Sequence, residues 1–319
     1  MRRTRARRSR ATAAGLALCA FALGGQVAAA GLPASQLETL ASGRWVTWWA
    51  SDRAPRAWTR PDPAVSGAVR WQSATPGVQW GTLELRGTGE AWRLSVVVVR
   101  LDPALLRLEL VQASREAGTI PAWSLDAMPS DAVVGFNAGQ FTGGLAWGWL
   151  VHGGRAVQPQ AAGPLSMAFC VLADGAARLV PADEMATIAA ASVAEAFQSY
   201  PLLLRGDGSV PPQLARPGLG VDVGHRDARL AVGELRDGRI LIALTRFAAA
   251  GDALGSLPFG PTVPETAALL GALGCRQAMM LDGGISAQLA VREANGALLH
   301  WRGWRKVPLA LLAYPRAAR

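Results

Sequence analysis

The chain has 319 residues, half of them hydrophobic, and a formal net charge of +9. Six arginines within the first ten residues supply much of that charge, so residues 31–319 carry 26 basic and 23 acidic side chains, a surplus of +3. This composition argues against a disordered chain, and the small surplus excludes the strong electrostatic footprint expected of a protein that binds nucleic acid.

The first thirty residues have the three parts of a secretory signal peptide. Arginines open the segment, an apolar stretch runs from Ala11 to Leu23, and Ala28-Ala29-Ala30 precede Gly31. The apolar stretch is shorter than the roughly 20 residues of a membrane-spanning helix. We therefore expect cleavage after Ala30 and an exported protein, periplasmic or extracellular, with no stable membrane span; an uncleaved anchor is the alternative.

Residues 31–80 contain six tryptophans among prolines and arginines and show no sustained periodicity. The pattern predicts an irregular lead-in segment before a main domain at residues 81–316. Its tryptophans either line a carbohydrate surface or pack the segment onto the main domain, and the packing role is the more common one.

From Val78 onward, short apolar runs alternate with glycine-bearing turns, which predicts strands. Residues 93–101 read as a buried strand, and residues 230–247 read as a hairpin around Asp237-Gly238. Strands joined by such tight turns are antiparallel. The same signal recurs at four other dipeptides, Gly153-Gly154, Asp174-Gly175, Asp207-Gly208 and Asn295-Gly296.

Two helices are predicted, over residues 183–197 and residues 263–273, the second bounded by Thr262 and Gly274. Few helices among many hairpins favour an α+β fold, a single domain rich in antiparallel hairpins with a few packed helices. Cys170 and Cys275 are interpreted as buried free thiols, with a disulfide as the alternative.

The chain lacks the residues that several common catalytic mechanisms require. Lys306 is the only lysine, so the chain has no phosphate-binding loop of the Gly-Lys-Ser/Thr type. The three histidines, His152, His225 and His300, are far apart, and no serine lies in a GxSxG motif. Zinc-protease and α/β-hydrolase chemistry therefore lose their usual support.

The remaining polar candidates lie at two strand ends. Asn137 and Gln140 follow the apolar run at residues 132–134 and offer amide groups to a polar ligand. Asp282, followed by Gly283 and Gly284, comes directly after the apolar run at residues 278–280 and offers a carboxylate beside a backbone that a ligand can approach closely. Each motif taken alone is also compatible with a simple turn.

Four segments together resemble the phosphodiester glycosidase family, over about residues 95–315. The Asp-Gly-Gly segment is the most specific, because a helix of fitting length joins it to the motif at residues 262–265. The segments are residues 137–141, residues 199–204, residues 229–238 and residues 260–286.

The resemblance implies hydrolysis of the bond between a sugar's anomeric carbon and a phosphodiester phosphate, with a glycosyl phosphodiester or an envelope glycan as substrate. It implies Asp282 as the leading catalytic carboxylate and Glu265 as the second. Thr262 and Glu265 also fit a capping box, which leaves a structural role open for Glu265. The resemblance brings no cofactor with it, and metal dependence is left open.

Substrate contacts are also implied. They are Arg229 for the phosphate, Asn137 for sugar hydroxyls, Gln140 near the sugar, the Gly283 and Gly284 amides for developing negative charge, and Ser286. Alternatives are an outward-facing strand arginine and a turn-capping serine.

Three residues depart from the family pattern, Met280, Ile285 and Gln140. They bear on substrate choice. Two other classes of function compete with the enzyme: an exported glycan-binding module that uses the same pocket without catalysis, and an exported scaffold in which Asp-Gly-Gly is only a turn.

Overall fold

The computed structural model describes residues 32–112, 122–142, 144–215, 222–248, 255, 257 and 259–316. The expected signal peptide, residues 1–30, lies outside the described residues. Antiparallel strands are the main regular structure of the described residues. In chain order they are β1 Gln36–Ala41, β2 Arg44–Ala50, β3 Gln72–Thr75, β4 Val78–Gly87, β5 Leu94–Leu101, β6 Leu106–Gln112, β7 Val134–Asn137, β8 Phe141–Thr142, β9 Leu145–Ala146, β10 Leu150–His152, β11 Arg155–Gln158, β12 Met167–Leu172, β13 Ala177–Pro181, β14 Val193–Ser199, β15 Leu202–Leu204, β16 Leu230–Leu235, β17 Ile240–Phe247, β18 Cys275–Met280, β19 Leu289–Arg292, β20 Leu298–Trp301 and β21 Leu309–Pro315.

The strands form three large sheets and one small ribbon. The largest sheet has nine strands in the order β15-β18-β16-β17-β5-β4-β1-β2, with β3 paired to β4. Two five-stranded sheets have the orders β11-β10-β14-β12-β13 and β20-β19-β7-β21-β6, and β8 pairs with β9. Strands β16 and β18 are antiparallel neighbours in the nine-stranded sheet. Ala231 lies opposite Met280, so the start of β16 lies next to the end of β18.

Both faces of the nine-stranded sheet are buried. On β5, Val97 and Val99 enter a core shared with both five-stranded sheets, whereas Val96 and Val98 enter a second core with helix residues and the lead-in tryptophans. Side chains alternate between the faces of a strand, so a strand buried on both faces reads as a continuous apolar run. This explains why Arg93–Leu101 is recognisable as a buried strand in the sequence.

The prediction of an α+β fold is wrong, because the protein is mainly β. The described α-helices are α1, Pro63–Ser66, and α2, Val263–Ala272, and the remaining helical segments are short 3₁₀ turns. Helix α2 confirms the helix predicted behind Thr262. The 3₁₀ turns are Ser51–Arg53, Gly89–Ala91, Leu125–Ala127, Met185–Thr187, Ala190–Ser192, Pro212–Ala215 and Gly284–Ser286.

The helix predicted over residues 183–197 is also wrong. Two 3₁₀ turns occupy its first part, and β14 occupies the rest. Strand β14 lies between β10 and β12, where Phe197 stacks against Phe169 at a centroid distance of 5.4 Å. Pairing on both edges and this aromatic contact outweigh the helix propensity of the alanine-rich sequence.

The lead-in segment is more regular than expected. Strands β1 and β2 extend the nine-stranded sheet, and Trp49 and Trp58 are buried in its second core. The prediction of an irregular segment is therefore wrong, and packing onto the sheet is the role seen for these two tryptophans.

Four of the five predicted hairpins are confirmed. Turns at residues 153–154, 174–175, 237–238 and 295–296 each join two paired strands. The hairpin predicted at Asp207-Gly208 is wrong, because this turn has no following partner strand among the described residues. Cys170 and Cys275 are buried free thiols. No helix in the described part of the chain is long and apolar enough to cross a lipid bilayer.

Candidate active site

The turn that carries Asp282 begins directly after β18, beside the start of β16. Gly284 has a φ of +54°, and a Cβ atom there would lie 2.7 Å from a carboxylate oxygen of Asp227. A Cβ on Gly283 would lie 2.6 Å from the carbonyl oxygen of Ala228. The paired glycines are therefore required because two chain segments meet here at backbone distance.

The main chain of Asp282 is held on both sides. Its N–H donates to the carbonyl of Gly139 (2.9 Å), and its carbonyl accepts from the side-chain amide of Asn137 (2.9 Å). The side-chain carbonyl oxygen of Asn137 in turn accepts from the N–H of Gln288 (3.0 Å). Asn137 is fully buried, so its amide links the ends of β7 and β18 and fixes the backbone from which the Asp282 carboxylate projects.

The carboxylate of Asp282 lies in a mixed environment. Burial raises its pKa, a hydrogen bond from Ser286 and the charge of Arg305 lower it, and the charge of Asp227 raises it; the net shift is upward. Ser286 is buried in the 3₁₀ turn that follows. A carboxylate with a raised pKa beside a second carboxylate is typical of acid–base and nucleophilic sites.

Asp227 is the carboxylate that sequence reasoning missed. Burial raises the pKa of its carboxyl group, and Arg229, the Ala228 amide and His225 lower it less. One carboxylate oxygen accepts from the N–H of Ala228 (2.8 Å). The available signal was topological: once β16 pairs antiparallel with β18, the residues just before β16 lie beside those just after β18.

Glu265 lies in a different environment. It is fully buried, and both of its carboxylate oxygens accept from Arg226, at 2.7 and 2.9 Å. One oxygen also accepts from the N–H of Thr262 (2.9 Å), whose hydroxyl accepts from the N–H of Glu265 (3.4 Å). The capping box is therefore present, and these contacts hold the N-terminus of α2 to the loop that carries Asp227.

The guanidinium of Arg229 is buried and bound to backbone. Its Nε donates to the carbonyl of Pro261 (3.0 Å), and one terminal nitrogen donates to the carbonyl of His225. Burial lowers its pKa, whereas the charges of Asp227 and Glu265 raise it, and the net shift is downward. Arg229 thus lies close enough to the carboxylates to affect them, while most of its side chain braces the loops around the site.

An aromatic pair borders the carboxylates. Tyr200 and Trp147 contact edge to face with ring centroids 5.4 Å apart. Gln140 joins them. Its side-chain N–H donates to the backbone carbonyl of Tyr200 (3.0 Å), and its backbone carbonyl accepts from the N–H of Trp147 (2.8 Å). Burial, and to a smaller extent the charge of Asp282, raise the pKa of Tyr200.

The predicted site residues therefore separate into two groups. Asp282, Gly283, Gly284 and Ser286 form one turn, bound to Asn137 and facing Asp227, whereas Gln140 is hydrogen-bonded to the backbone of Tyr200. The N–H of Gly284, expected to face the substrate, instead donates to the Ala228 carbonyl (2.8 Å). Glu265 and Arg229 lie behind the Asp227 loop, in contact with protein groups.

Cavity size alone does not locate this site. A cavity of about 770 Å³ is bordered by Trp49, Trp58 and Arg226 but by neither Asp282 nor Asp227. Within the described residues, no group of three or more His, Cys, Asp or Glu side chains is placed to hold a metal ion. The paired carboxylates, rather than a large cavity, mark the candidate active site.

Comparison with known proteins agrees with the resemblance seen in the sequence. The family model of phosphodiester glycosidase matches residues 130–314. No curated protein sequence matches this chain.

Two solved structures show the same fold at low identity. The catalytic domain of zebrafish N-acetylglucosamine-1-phosphodiester alpha-N-acetylglucosaminidase, auto-inhibited by pro-peptide, is 16% identical with a TM-score of 0.57 over 83% of this chain and 96% of that chain. A protein of Burkholderia pseudomallei K96243 is 17% identical with a TM-score of 0.51 over 72% of this chain and 76% of that chain.

Proposed function

This chain belongs to the phosphodiester glycosidase family, and we propose that it is an exported hydrolase that cleaves the bond between a sugar's anomeric carbon and the phosphate of a diester. The name of the zebrafish enzyme states that it acts on an N-acetylglucosamine-1-phosphodiester. We propose the same class of bond here, in envelope or exopolysaccharide glycans.

The observation that carries this proposal is the pair Asp282 and Asp227. Burial raises the pKa of both carboxyl groups, and the charge of Asp227 raises that of Asp282 further. Two carboxylates on either side of a scissile bond are the machinery of most glycoside hydrolases. The turn and the Asp227 loop bring them together from positions 55 residues apart in the chain.

The leaving group determines the role of each carboxylate. A phosphate monoester departs as a stable anion, so its oxygen needs less protonation than a sugar alcohol would. The main demand is then to stabilise positive charge at the anomeric carbon and to supply a nucleophile. We assign Asp282 to the attack, either on the carbon directly or by taking a proton from water, because its backbone is fixed by the hydrogen bonds to Gly139 and Asn137. Asp227 stabilises the developing positive charge.

The aromatic pair and the buried amide complete the proposed site. Tyr200 and Trp147 offer a face against which a sugar ring packs, and Gln140 holds both residues in place. Asn137 is fully buried, so it acts on Asp282 through the Asp282 backbone carbonyl and does not reach the sugar hydroxyls expected from the sequence. Arg229 contributes positive charge behind the carboxylates.

Export is proposed from the first thirty residues, whose basic start, apolar stretch and alanine-rich end support cleavage after Ala30. N-terminal sequencing of the protein recovered outside the cytoplasm tests this. A first residue of Gly31 supports cleavage, and an intact Met1 contradicts it.

The reaction is tested by hydrolysing a panel of sugar-1-phosphodiesters in water enriched in oxygen-18. Cleavage at the anomeric carbon places the label in the free sugar, whereas cleavage at phosphorus places it in the phosphate monoester. Label in the sugar supports the proposal. Label in the phosphate identifies a phosphodiesterase, and saturable binding of the panel without turnover identifies a glycan-binding module.

A further inference from the structure

A short basic and aromatic loop lies beside the candidate active site. It consists of residues 302–306, Arg302-Gly303-Trp304-Arg305-Lys306, and we call it the rim loop. Much of the loop is exposed: Trp304 is 58% exposed, and Arg305 and Lys306 are exposed as well. The rim loop holds the chain's only lysine and is not used by the chemistry described above.

The rim loop is fastened to the turn that carries Asp282. The N–H groups of Trp304 and Arg305 both donate to the carbonyl of Ile285, at 2.8 and 2.9 Å. A Cβ atom on Gly303 would lie 2.8 Å from the same carbonyl, so glycine is needed for this approach. The loop therefore keeps a fixed position relative to the catalytic carboxylate.

Positive charge on the rim loop is only partly neutralised. Arg302 pairs with Asp126 at 2.5 Å. Arg305 lies close enough to Asp282 for its charge to lower the pKa of that carboxyl group. In the described part of the chain, the ion pairs within 4.0 Å include neither Arg305 nor Lys306. Arg305 and Lys306 are therefore two exposed, adjacent cations next to the turn that carries Asp282, and both are available to an anionic substrate.

Apolar surface accompanies these charges. Ile285, on the Asp-Gly-Gly turn, is 45% exposed, and its carbonyl anchors Trp304. The exposed side chains of Ile285 and Trp304 thus belong to two segments that are hydrogen-bonded to each other beside Asp282. A tryptophan next to two cations fits a ligand in which flat sugar faces alternate with anionic groups.

We propose that the rim loop binds the part of the substrate beyond the leaving phosphate, and that this part is an anionic chain of sugars joined by phosphodiesters. The inference rests on the proposed function, since it extends the same site. Arg305 receives the leaving phosphate, Trp304 packs against the next sugar, and Lys306 pairs with the next phosphate. The protein therefore prefers a sugar–phosphate oligomer to a simple diester of a small alcohol.

An anionic membrane surface would also attract cations and tryptophan. The fixed position of the rim loop beside Asp282 favours the substrate, because a membrane anchor has no need to be held at hydrogen-bond distance from a catalytic turn.

The test compares two substrates, a methyl sugar-1-phosphodiester and an oligomer of the same sugar phosphate. Lys306→Gln and Trp304→Ala are each expected to lower kcat/KM on the oligomer about fivefold, the effect of one exposed charge pair or stacked ring, while leaving the methyl diester within about twofold. The oligomer preference also weakens at high salt. Arg155→Gln, an exposed arginine of strand β11, is the matched control and leaves both substrates unchanged.

The outcomes are distinguishable. Loss of oligomer preference in both variants supports the inference. Equal turnover of the two substrates by the wild-type protein, or variants that leave the preference intact, overturns the inference and leaves the proposed function standing. Turnover of neither substrate overturns both. Binding to phosphatidylglycerol vesicles that Lys306→Gln and Trp304→Ala abolish, without oligomer preference, reassigns the rim loop to a membrane surface.

Discussion

Replacing Glu265 with glutamine distinguishes a structural carboxylate from a catalytic one. Glu265 is fully buried and accepts two hydrogen bonds from Arg226 and one from the Thr262 N–H. Glutamine keeps the shape but turns one acceptor into a donor that faces the guanidinium. One charge-assisted bond is lost and a largely buried cation loses its main partner, which costs about 2–4 kcal/mol of unfolding free energy.

The exposed Glu90 is the control for this substitution. It lies 3.6 Å from the same Arg226 side chain and is mostly exposed, so Glu90→Gln costs less than about 1 kcal/mol. Urea unfolding of the two variants gives the stability change, and kcat measured well below the transition gives the catalytic change. Glu265→Gln is expected to unfold at lower urea yet retain kcat within about threefold, because a purely structural effect leaves the folded site intact. Normal stability with kcat lost would refute this reasoning and make Glu265 a catalytic residue.

The remaining predictions concern the carboxylate pair, its turn and the thiols. Asp227→Asn removes a negative charge that raises the pKa of Asp282, so the acid limb of the kcat/KM pH profile moves to lower pH; an unmoved or rising limb contradicts the coupling. Gly284→Ala adds a Cβ atom 2.7 Å from Asp227 at a φ of +54°, and we expect a loss of about 1–3 kcal/mol of stability with reduced kcat, checked by thermal unfolding and kinetics. Cys170 and Cys275 are buried thiols, and burial raises the pKa of Cys170 to about 12, so thiol reagents should label them only on unfolding and reductant should leave Tm unchanged; rapid labelling of the folded protein would argue otherwise.

Local chemistry made part of the fold predictable. Thr262 and Glu265 indicate the start of α2, because a capping box satisfies free N–H groups at the helix N-terminus. Glycine-bearing turns located four hairpins, since φ above zero favours glycine at such positions. Strand β14 could not be recognised, because its sequence favours helix and only its two neighbouring strands override that preference.

The candidate site was likewise predictable only in part. Asp282 stands out because its turn carries two glycines after an apolar run. Asp227 does not stand out, because its role depends on the antiparallel pairing of β16 with β18, which no local pattern reveals. The bidentate Arg226 contact, which involves a side chain 39 residues away, likewise gives Glu265 a partner that spacing alone does not show.

The most direct test of the central claim is the turnover of a sugar-1-phosphodiester by Asp282→Asn, with the exposed Asp131→Asn as control. The substitution keeps the backbone bonds to Gly139 and Asn137, so the fold and substrate affinity are expected to survive. Loss of the attacking carboxylate should lower kcat about a thousandfold or more while KM stays within a few fold. Wild-type kcat in a folded Asp282→Asn protein would contradict the account and remove Asp282 from the reaction.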